Sequence, residues 1–322
     1  MATIDAKSVN ELRSKTGAGM MDCKKALTET SGDFEKAVDW LRTKGLAAAA
    51  KKAGRLASEG LVGAFTEEGK YAAVIEINSE TDFVAQNAVF KDFVADMAKH
   101  VAIKNPKFMS LEDAGATAET ALMEQTYFKD STKKVKEVLQ DLVAKIGENL
   151  KFRRFSRFDA TEGAVGTYLH MGGKVGVLVN VECPNAEAQS KTEFKDFIKD
   201  MCLHVCANKP SYLYSAEVPA DVLNREKEIA REQALQSGKP EQFVQKIIEG
   251  KVSKYYDANC LVDQEFVKDP SKRVRDIVKD VSAKIGTPVK ILKFTRFEMG
   301  EGLEKKTEDF AAEVAAKAGL TH

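Results

Sequence analysis

The spacing of apolar residues predicts helices at the start of the chain. The first 45 residues contain three short segments with apolar positions at helical spacing, separated by the turn sequences TGAG and SGD. Ser8 and Glu11 have the spacing of a capping box for the first segment. Asp33 is placed to cap the third segment, and Gly45 is of the type that commonly ends a helix.

These segments predict a small three-helix module. The residues expected in its core are Met21, Ala26, Leu27, Phe34, Val38 and Leu41. A core of this size gives only marginal stability by itself. A helix-prone, charged segment at residues 46–60 follows, and we interpret it as a linker to the rest of the chain.

The rest of the chain contains an internal duplication. Residues 90–106 (FKDFVADMAKHVAIKNP) return as residues 194–210 (FKDFIKDMCLHVCANKP), with nine of 17 positions identical. Two apolar runs that precede them are also repeated, since EGLVGAF is matched by EGAVGTY and KYAAVIEI is matched by KVGVLVNV. A later stretch, which ends in FSRF in the first copy and in FTRF in the second, is repeated as well. Each copy follows the order strand, strand, helix, intervening segment, helix, strand, with hairpin turns at EEGK and MGGK.

The second copy is longer than the first by about 35 residues. Matched residues of the two copies are 104 positions apart at the first helix and 139 positions apart at the second. The additional residues contain two charged amphipathic segments on either side of the turn sequence SGKP. We interpret them as a projecting helical hairpin that reaches a partner.

The fold class predicted from these elements is α+β, with helices segregated from small antiparallel sheets. The predicted parts are a three-helix module and linker at residues 1–56, a first core subdomain at 57–160, a second at 161–299 with its helical hairpin at about 221–257, and a C-terminal helical module at 300–322. Thr307 is the expected cap of the last helix.

Composition narrows the functional classes. Lys+Arg and Asp+Glu number 49 each, a balance that argues against direct nucleic-acid binding and against an anionic membrane surface. No apolar run approaches the roughly 20 residues that span a bilayer, and the first residues resemble neither a signal peptide nor a transit peptide. Five cysteines without CxxC spacing are typical of reduced thiols. We therefore expect a soluble, cytoplasmic protein.

Two motifs resemble binding sites, and the duplication argues against both. In CLHVC, Cys202 and Cys206 share a helix face from which His204 points away, so the three residues do not converge on one metal ion. The first copy keeps the histidine as His100 but has alanines in place of both cysteines, which predicts structural roles. KFRRFSRF at residues 151–158 alternates basic and aromatic residues as an RNA-binding strand does, but a half-buried strand has the same period of two.

The sequence also lacks the usual signs of catalysis. It contains no GxxxxGK[ST] or GxGxxG loop for binding a nucleotide. The sequence pattern also indicates no catalytic set of a nucleophile, a base and an orienting residue. We therefore expect neither a cofactor nor an enzyme activity.

NSETDFVAQN, residues 78–87, poses a different question. It joins an apolar strand to a helix and places an acid beside a large aromatic residue, Asp82–Phe83. The second copy has alanine and glutamate at the matched positions, so the shared fold does not require the pair. The pair is either functional or part of a helix cap, in which Ser79 or Thr81 starts the helix and Phe83 packs beneath it as a staple. Spacing alone favours the cap.

Several of these motifs resemble the elongation factor Ts family. They are LRSKTGAGMMDCKKAL at residues 12–27, ETDFVAQN at residues 80–87, the duplicated core, and EGLEKKTEDFAAEVA at residues 301–315. The resemblance extends over essentially the whole chain. It implies an N-terminal module similar to a ubiquitin-associated (UBA) domain, two related core subdomains, a coiled-coil hairpin in one of them, and a C-terminal helical module.

The resemblance also implies a function in protein biosynthesis. Members of this family are guanine-nucleotide exchange factors that bind the GDP form of elongation factor Tu. They promote GDP release by disturbing the magnesium and phosphate site, so that GTP binds during translation elongation. GDP, GTP and Mg²⁺ are then bound by the partner, and this chain has no cofactor. The alternative from another class is an RNA or ubiquitin-like adaptor built on the N-terminal module.

The resemblance further implies which residues bind the partner. They are Arg13, Met20 and Met21 in the N-terminal module, Thr81, Asp82, Phe83 and Val84 in the TDFV motif, Ile146 and Gly147 in AKIGENL, and His170 in TYLHMGG. In the family the acid and the aromatic residue of TDFV enter the GTPase domain near the magnesium site. A wedge aromatic displaces partner side chains, and an acid disfavours anionic phosphates and disturbs the magnesium shell.

Overall fold

The computed structural model describes residues 4–16, 18–238 and 240–304. The helices are α1 (Ala6–Thr16), α2 (Met20–Glu29), α3 (Phe34–Lys52), α4 (Asp82–Gln86), α5 (Ala88–Lys104), α6 (Val135–Ile146), α7 (Ala186–Ser190), α8 (Thr192–Asn208), α9 (Ala220–Gln236), α10 (Glu241–Asn259) and α11 (Val274–Ile285). The strands are β1 (Glu59–Glu67), β2 (Tyr71–Ser79), β3 (Lys151–Asp159), β4 (Gly163–His170), β5 (Val175–Glu182), β6 (Glu265–Phe266), β7 (Asp269–Arg273) and β8 (Lys290–Glu298). The predicted C-terminal helix and its cap Thr307 lie outside the described residues.

The fold is α+β, as the sequence predicts. The strands form small sheets with the orders β1-β2-β3, β4-β5-β8 and β6-β7. Each copy of the duplication has the predicted order of strand, strand, helix, helix, strand. The short helices α4 and α7 and the small β6–β7 pair are additions that the sequence pattern did not predict.

The described residues divide into two compact units. The first holds those within Met1–Gly63, Ile75–Phe155 and Glu298–His322, and the second holds those within Ala64–Val74 and Ser156–Phe297. The central strands β2 and β5 are buried along nearly their whole length. In the second unit, α8 packs on β4 and β5, and α9 packs against α10 where the helical hairpin is predicted.

A matched glycine brings helix and strand together in each copy. A Cβ built on Gly63 of β1 would lie 2.7 Å from Val94 of α5. A Cβ built on Gly166 of β4 would lie 2.2 Å from Ile198 of α8. Real Cβ atoms do not approach other atoms so closely, so this packing requires glycine at both positions.

The N-terminal module has the expected core with one exception. Its buried residues are Val9, Leu12, Cys23, Ala26, Leu27 and Ala37, with Phe34, Val38 and Leu41 packed against them. Met21, which we expected in this core, is 74% exposed. Cys23, Ala26 and Leu27 form the buried stripe of α2, and Met21 lies about 200° from Cys23 around the helix. The core prediction is therefore wrong for Met21.

The first helix begins earlier than the capping-box spacing predicts. Asp5 caps α1, because its Oδ1 accepts hydrogen bonds from the Ser8 N–H at 2.7 Å and the Ser8 hydroxyl at 2.6 Å. A carboxylate satisfies an N-terminal N–H well, and its charge suits the positive end of the helix. The cap predicted for α3 is confirmed, since Asp33 Oδ1 accepts from the Lys36 N–H at 3.0 Å.

The prediction that Gly45 ends the third helix is wrong. α3 continues through the following alanines to Lys52, so the first part of the predicted linker is helical. Alanine is the best helix former, and glycine inside a helix costs only about 1 kcal/mol, so the alanine run prevails.

Each copy contains a buried histidine bonded to a glutamine. His100 Nε2 lies 3.1 Å from Gln125 Oε1, and His204 Nε2 lies 2.9 Å from Gln264 Oε1. Each glutamine also donates to two backbone carbonyls. Both histidines are fully buried, which confirms their predicted structural role.

The cysteines of CLHVC are buried free thiols. Burial raises the pKa of Cys202 to about 12, so that thiol is unreactive at neutral pH.

Candidate functional site

The Asp82–Phe83 pair projects from the short helix α4. Phe83 is 82% exposed, and Asp82 is exposed beside it. Val84 and Ala85 are buried, so α4 is attached through one face while the preceding pair points outward. Among the described residues, Phe83 is the most exposed of the large hydrophobic side chains. The cap interpretation favoured by spacing is therefore wrong for Phe83, which does not pack beneath α4.

The Thr81 side chain makes a long-range contact instead of capping α4. Its hydroxyl donates to Glu148 Oε1 at 2.7 Å, and its N–H donates to Glu148 Oε2 at 3.0 Å. Beside it, Glu80 Oε1 accepts from the Asn149 N–H at 2.6 Å. Hydrogen bonds to a carboxylate are stronger than those between neutral groups. The residues before Asp82 are thus tied to the turn that follows α6.

A third segment joins this arrangement. The Asn149 side chain donates to the carbonyl of Arg55 at 2.8 Å, and Asn149 is buried. Gly147 ends α6 in the left-handed conformation, with φ of 87°, which turns the chain toward these contacts. Three segments far apart in sequence therefore fix the base of α4.

A groove of about 300 Å³ lies beside Phe83. The residues that line it are Phe83, Val84, Asn87, Val89, Lys145 and Ile146. Asn87 also caps α5, because its side chain accepts from the Val89 N–H at 2.9 Å. The structure thus brings the TDFV motif together with Ile146 at the end of α6.

The predicted residues of the N-terminal module are all exposed. Met20 is 51% exposed and Met21 is 74% exposed at the start of α2, and Arg13 is exposed on α1. Helices α1 and α2 pack against each other. Exposed methionines are flexible apolar side chains that adapt to a partner surface.

His170 lies in the second unit, at the end of β4. It is exposed, and its Nδ1 lies 3.0 Å from the hydroxyl of Tyr168. Leu169 and Met171 on either side of it are 41% and 72% exposed. The tip of the β4–β5 hairpin therefore presents apolar side chains around a histidine.

Sequence reasoning missed the residues that hold the pair in place. They are Glu80, Glu148 and Asn149. A signal for them was present, because the matched positions of the second copy are Pro184, Thr287 and Pro288. Comparing the copies at these positions would have shown that the three residue types belong to the first copy alone.

The fold is thus that of an α+β protein, and the site is a protruding acid–aromatic pair beside a groove, a geometry suited to contact with another protein. The family model described as "Elongation factor TS" matches residues 80–301, which begin at this site. A protein named elongation factor Ts from Trichlorobacter lovleyi is 49% identical over 318 residues, covering 98% of this chain and 99% of that protein. The chain belongs to the elongation factor Ts family, and with it to the elongation step of protein biosynthesis.

Further relatives agree with this membership. A protein of the same name from Clostridium kluyveri is 48% identical over 312 residues, covering 97% of each chain. Another from Bdellovibrio bacteriovorus is 48% identical over 317 residues, covering 98% of each chain. Among the described residues, no helix has the length and apolar character needed to cross a membrane.

Proposed function

We propose that the chain is a cytoplasmic guanine-nucleotide exchange factor for elongation factor Tu. It binds the GDP form of that partner, promotes GDP release by disturbing the magnesium and phosphate site, and so allows GTP to bind. The observation that carries this proposal is the 82% exposure of Phe83 on a helix whose base is fixed. Burial of this exposed aromatic side chain in a partner is favourable, because it removes apolar surface from water.

The pair has two separate effects in this mechanism. Burying the Phe83 ring in the partner contributes about 2 kcal/mol, which stabilises a partner conformation that has made room for the ring. Asp82 brings a negative charge toward phosphates and Mg²⁺, which weakens phosphate binding and competes for the ion. The chain itself makes and breaks no covalent bond and has no cofactor, because GDP, GTP and Mg²⁺ are bound by the partner.

Thermodynamic linkage sets the size of the required effect. If the chain weakens GDP binding by a factor, GDP weakens binding of the chain by the same factor. A thousandfold effect corresponds to about 4 kcal/mol, whereas ordinary couplings between sites supply about 1 to 3 kcal/mol. Additional partner contacts are therefore part of the proposal.

These contacts come from the other predicted positions. Arg13, Met20 and Met21 of a UBA-like module bind a helix of the GTPase domain, and Ile146 and Gly147 extend the surface beside Phe83. His170, the α9–α10 hairpin as a coiled coil, and the C-terminal module add further contacts.

Binding of the chain to purified elongation factor Tu, with and without GDP, tests this proposal. The expected result is tight binding to the nucleotide-free partner and binding weaker by at least about a hundredfold at saturating GDP, as the linkage requires. Equal affinity in both conditions would rule out exchange activity. Failure to bind the partner at all would favour the adaptor function instead.

A further inference from the structure

Glu148 connects two segments that are 67 residues apart in the chain. Both of its carboxylate oxygens are used, one by the Thr81 N–H at 3.0 Å and one by the Thr81 hydroxyl at 2.7 Å. Thr81 is half-buried, and it directly precedes Asp82 and Phe83. Two hydrogen bonds to one residue fix its backbone direction as well as its side chain, and so fix the direction in which the next residues leave.

The second copy shows that the fold does not need this contact. The position matched to Thr81 is Asn185, whose side chain accepts from the N–H groups of Glu187 and Ala188 and caps α7 locally. The position matched to Glu148 is Thr287. The copy without an acid–aromatic pair thus starts its short helix with an ordinary cap, and the copy with the pair replaces that cap by a long-range carboxylate contact.

We infer that Glu148 is a positioning residue that holds Phe83 in the orientation required for nucleotide exchange. This inference rests on the proposed function. A fixed orientation lowers the entropy that the partner must supply on binding, because the ring is already ordered before contact. Without the carboxylate, Thr81 loses both of these hydrogen bonds, and the base of α4 keeps the hydrogen bond between Glu80 and Asn149 and the buried side chains of Val84 and Ala85.

If Glu148 acts by positioning Phe83, the effect of substituting Glu148 on the exchange rate should depend on the presence of the Phe83 ring. Glu148→Gln, which retains one acceptor oxygen but loses the charge, should lower the exchange rate at limiting concentrations of the chain about fivefold. In the Phe83→Ala background the same substitution should have no further effect, since no ring remains to be positioned. Thr81→Val, which removes the hydroxyl donor, should lower the rate in the same direction and combine with Glu148→Gln non-additively.

A spectroscopic measurement tests positioning without any partner. Phe83→Trp in a Trp40→Phe background leaves one indole, at the tip of α4, because Trp40 is the single tryptophan of the chain. Time-resolved fluorescence anisotropy should show a larger amplitude of fast indole motion when Glu148→Gln is added. Asn185→Ala, which removes the matched contact of the second copy, is the control and should change neither the anisotropy nor the exchange rate.

The outcomes are distinguishable. If the unaltered chain accelerates exchange and Glu148→Gln matches it in both rate and anisotropy, the inference is wrong and the proposed function stands. If Glu148→Gln slows exchange equally with and without Phe83, Glu148 acts by a route other than the ring, and the inference is again wrong. If the unaltered chain has no exchange activity, the proposed function itself fails, whatever the anisotropy shows.

Discussion

Gly45 of α3 lies against Ala144 of α6, and a Cβ built on the glycine would be 3.5 Å from the Cβ of the alanine. An ion pair between Arg42 and Glu137 joins the same two helices. Helix α6 ends at Ile146, which lines the groove beside Phe83. The three-helix module is therefore packed along the helix that carries part of the candidate site.

Substitutions at Gly45 should distinguish close packing from helix termination. Gly45→Ala should raise the free energy of unfolding by about 0.5 to 1 kcal/mol, because 3.5 Å is an ordinary contact and alanine is the better helix former. Gly45→Leu should lower it by about 1 to 3 kcal/mol through overpacking. Urea denaturation measures both values. A destabilising Gly45→Ala would mean that the position requires glycine for another reason.

Glu76 should be a strong stabilising residue of the first unit. It is fully buried on β2, where it accepts hydrogen bonds from Arg153, Arg154 and the Gly300 N–H at 2.7 to 2.8 Å. Burial alone would raise the pKa of Glu76, but the bonds from Gly300 and the two arginines outweigh it and lower the pKa below its usual value.

Glu76→Gln should cost about 3 kcal/mol of unfolding free energy, because it removes the buried counter-charge that Arg153 and Arg154 share. The control is Glu301→Gln, the exposed partner of Arg154, which should cost less than about 1 kcal/mol. Thermal and urea unfolding of the two variants compare them directly. Equal losses would show that the buried position of Glu76 adds nothing.

The buried histidines should make stability depend on pH. Burial lowers the pKa of His100 to about 4 and also lowers the pKa of His204, so both bind a proton less readily in the folded state than in the unfolded chain. The unfolded chain binds the extra protons below about pH 6.5, and stability is therefore lost as the pH falls from there toward 4.

The loss from His100 alone should be about 2 kcal/mol between pH 7.5 and pH 5. Urea denaturation at several pH values measures it, and the slope should become smaller in the His100→Asn variant. An unchanged slope in that variant would show that His100 is not the titrating group.

Phe83→Ala should separate binding from exchange. The variant should keep much of its affinity for elongation factor Tu, because the groove and the N-terminal module remain, but GDP release should slow by about tenfold or more, equivalent to about 1.4 kcal/mol. Leu111→Ala is the control, since Leu111 is 51% exposed in the same unit and outside the candidate site. Equal exchange rates for Phe83→Ala and the unaltered chain would contradict the wedge mechanism.

Sequence patterns predicted the duplicated α+β architecture because hydrophobic periodicity and the internal repeat are strong, local signals. They predicted the helical segments at α9 and α10 for the same reason. Thr81 occupies the N-cap position of α4 as spacing predicts, but its hydroxyl makes no capping bond. Spacing along the chain does not show that this hydroxyl has a partner in Glu148, 67 residues away. Gly45 was misjudged for a different reason, because the alanines that follow it are strong helix formers and α3 continues through them to Lys52.

The proposed exchange activity is tested most directly by stopped-flow measurement of the release of fluorescent GDP from elongation factor Tu, with this chain present in catalytic amounts. We predict release faster than the spontaneous rate by about a hundredfold or more, with each molecule of the chain acting on many partner molecules. Release at the spontaneous rate from a cognate partner would contradict the proposed function.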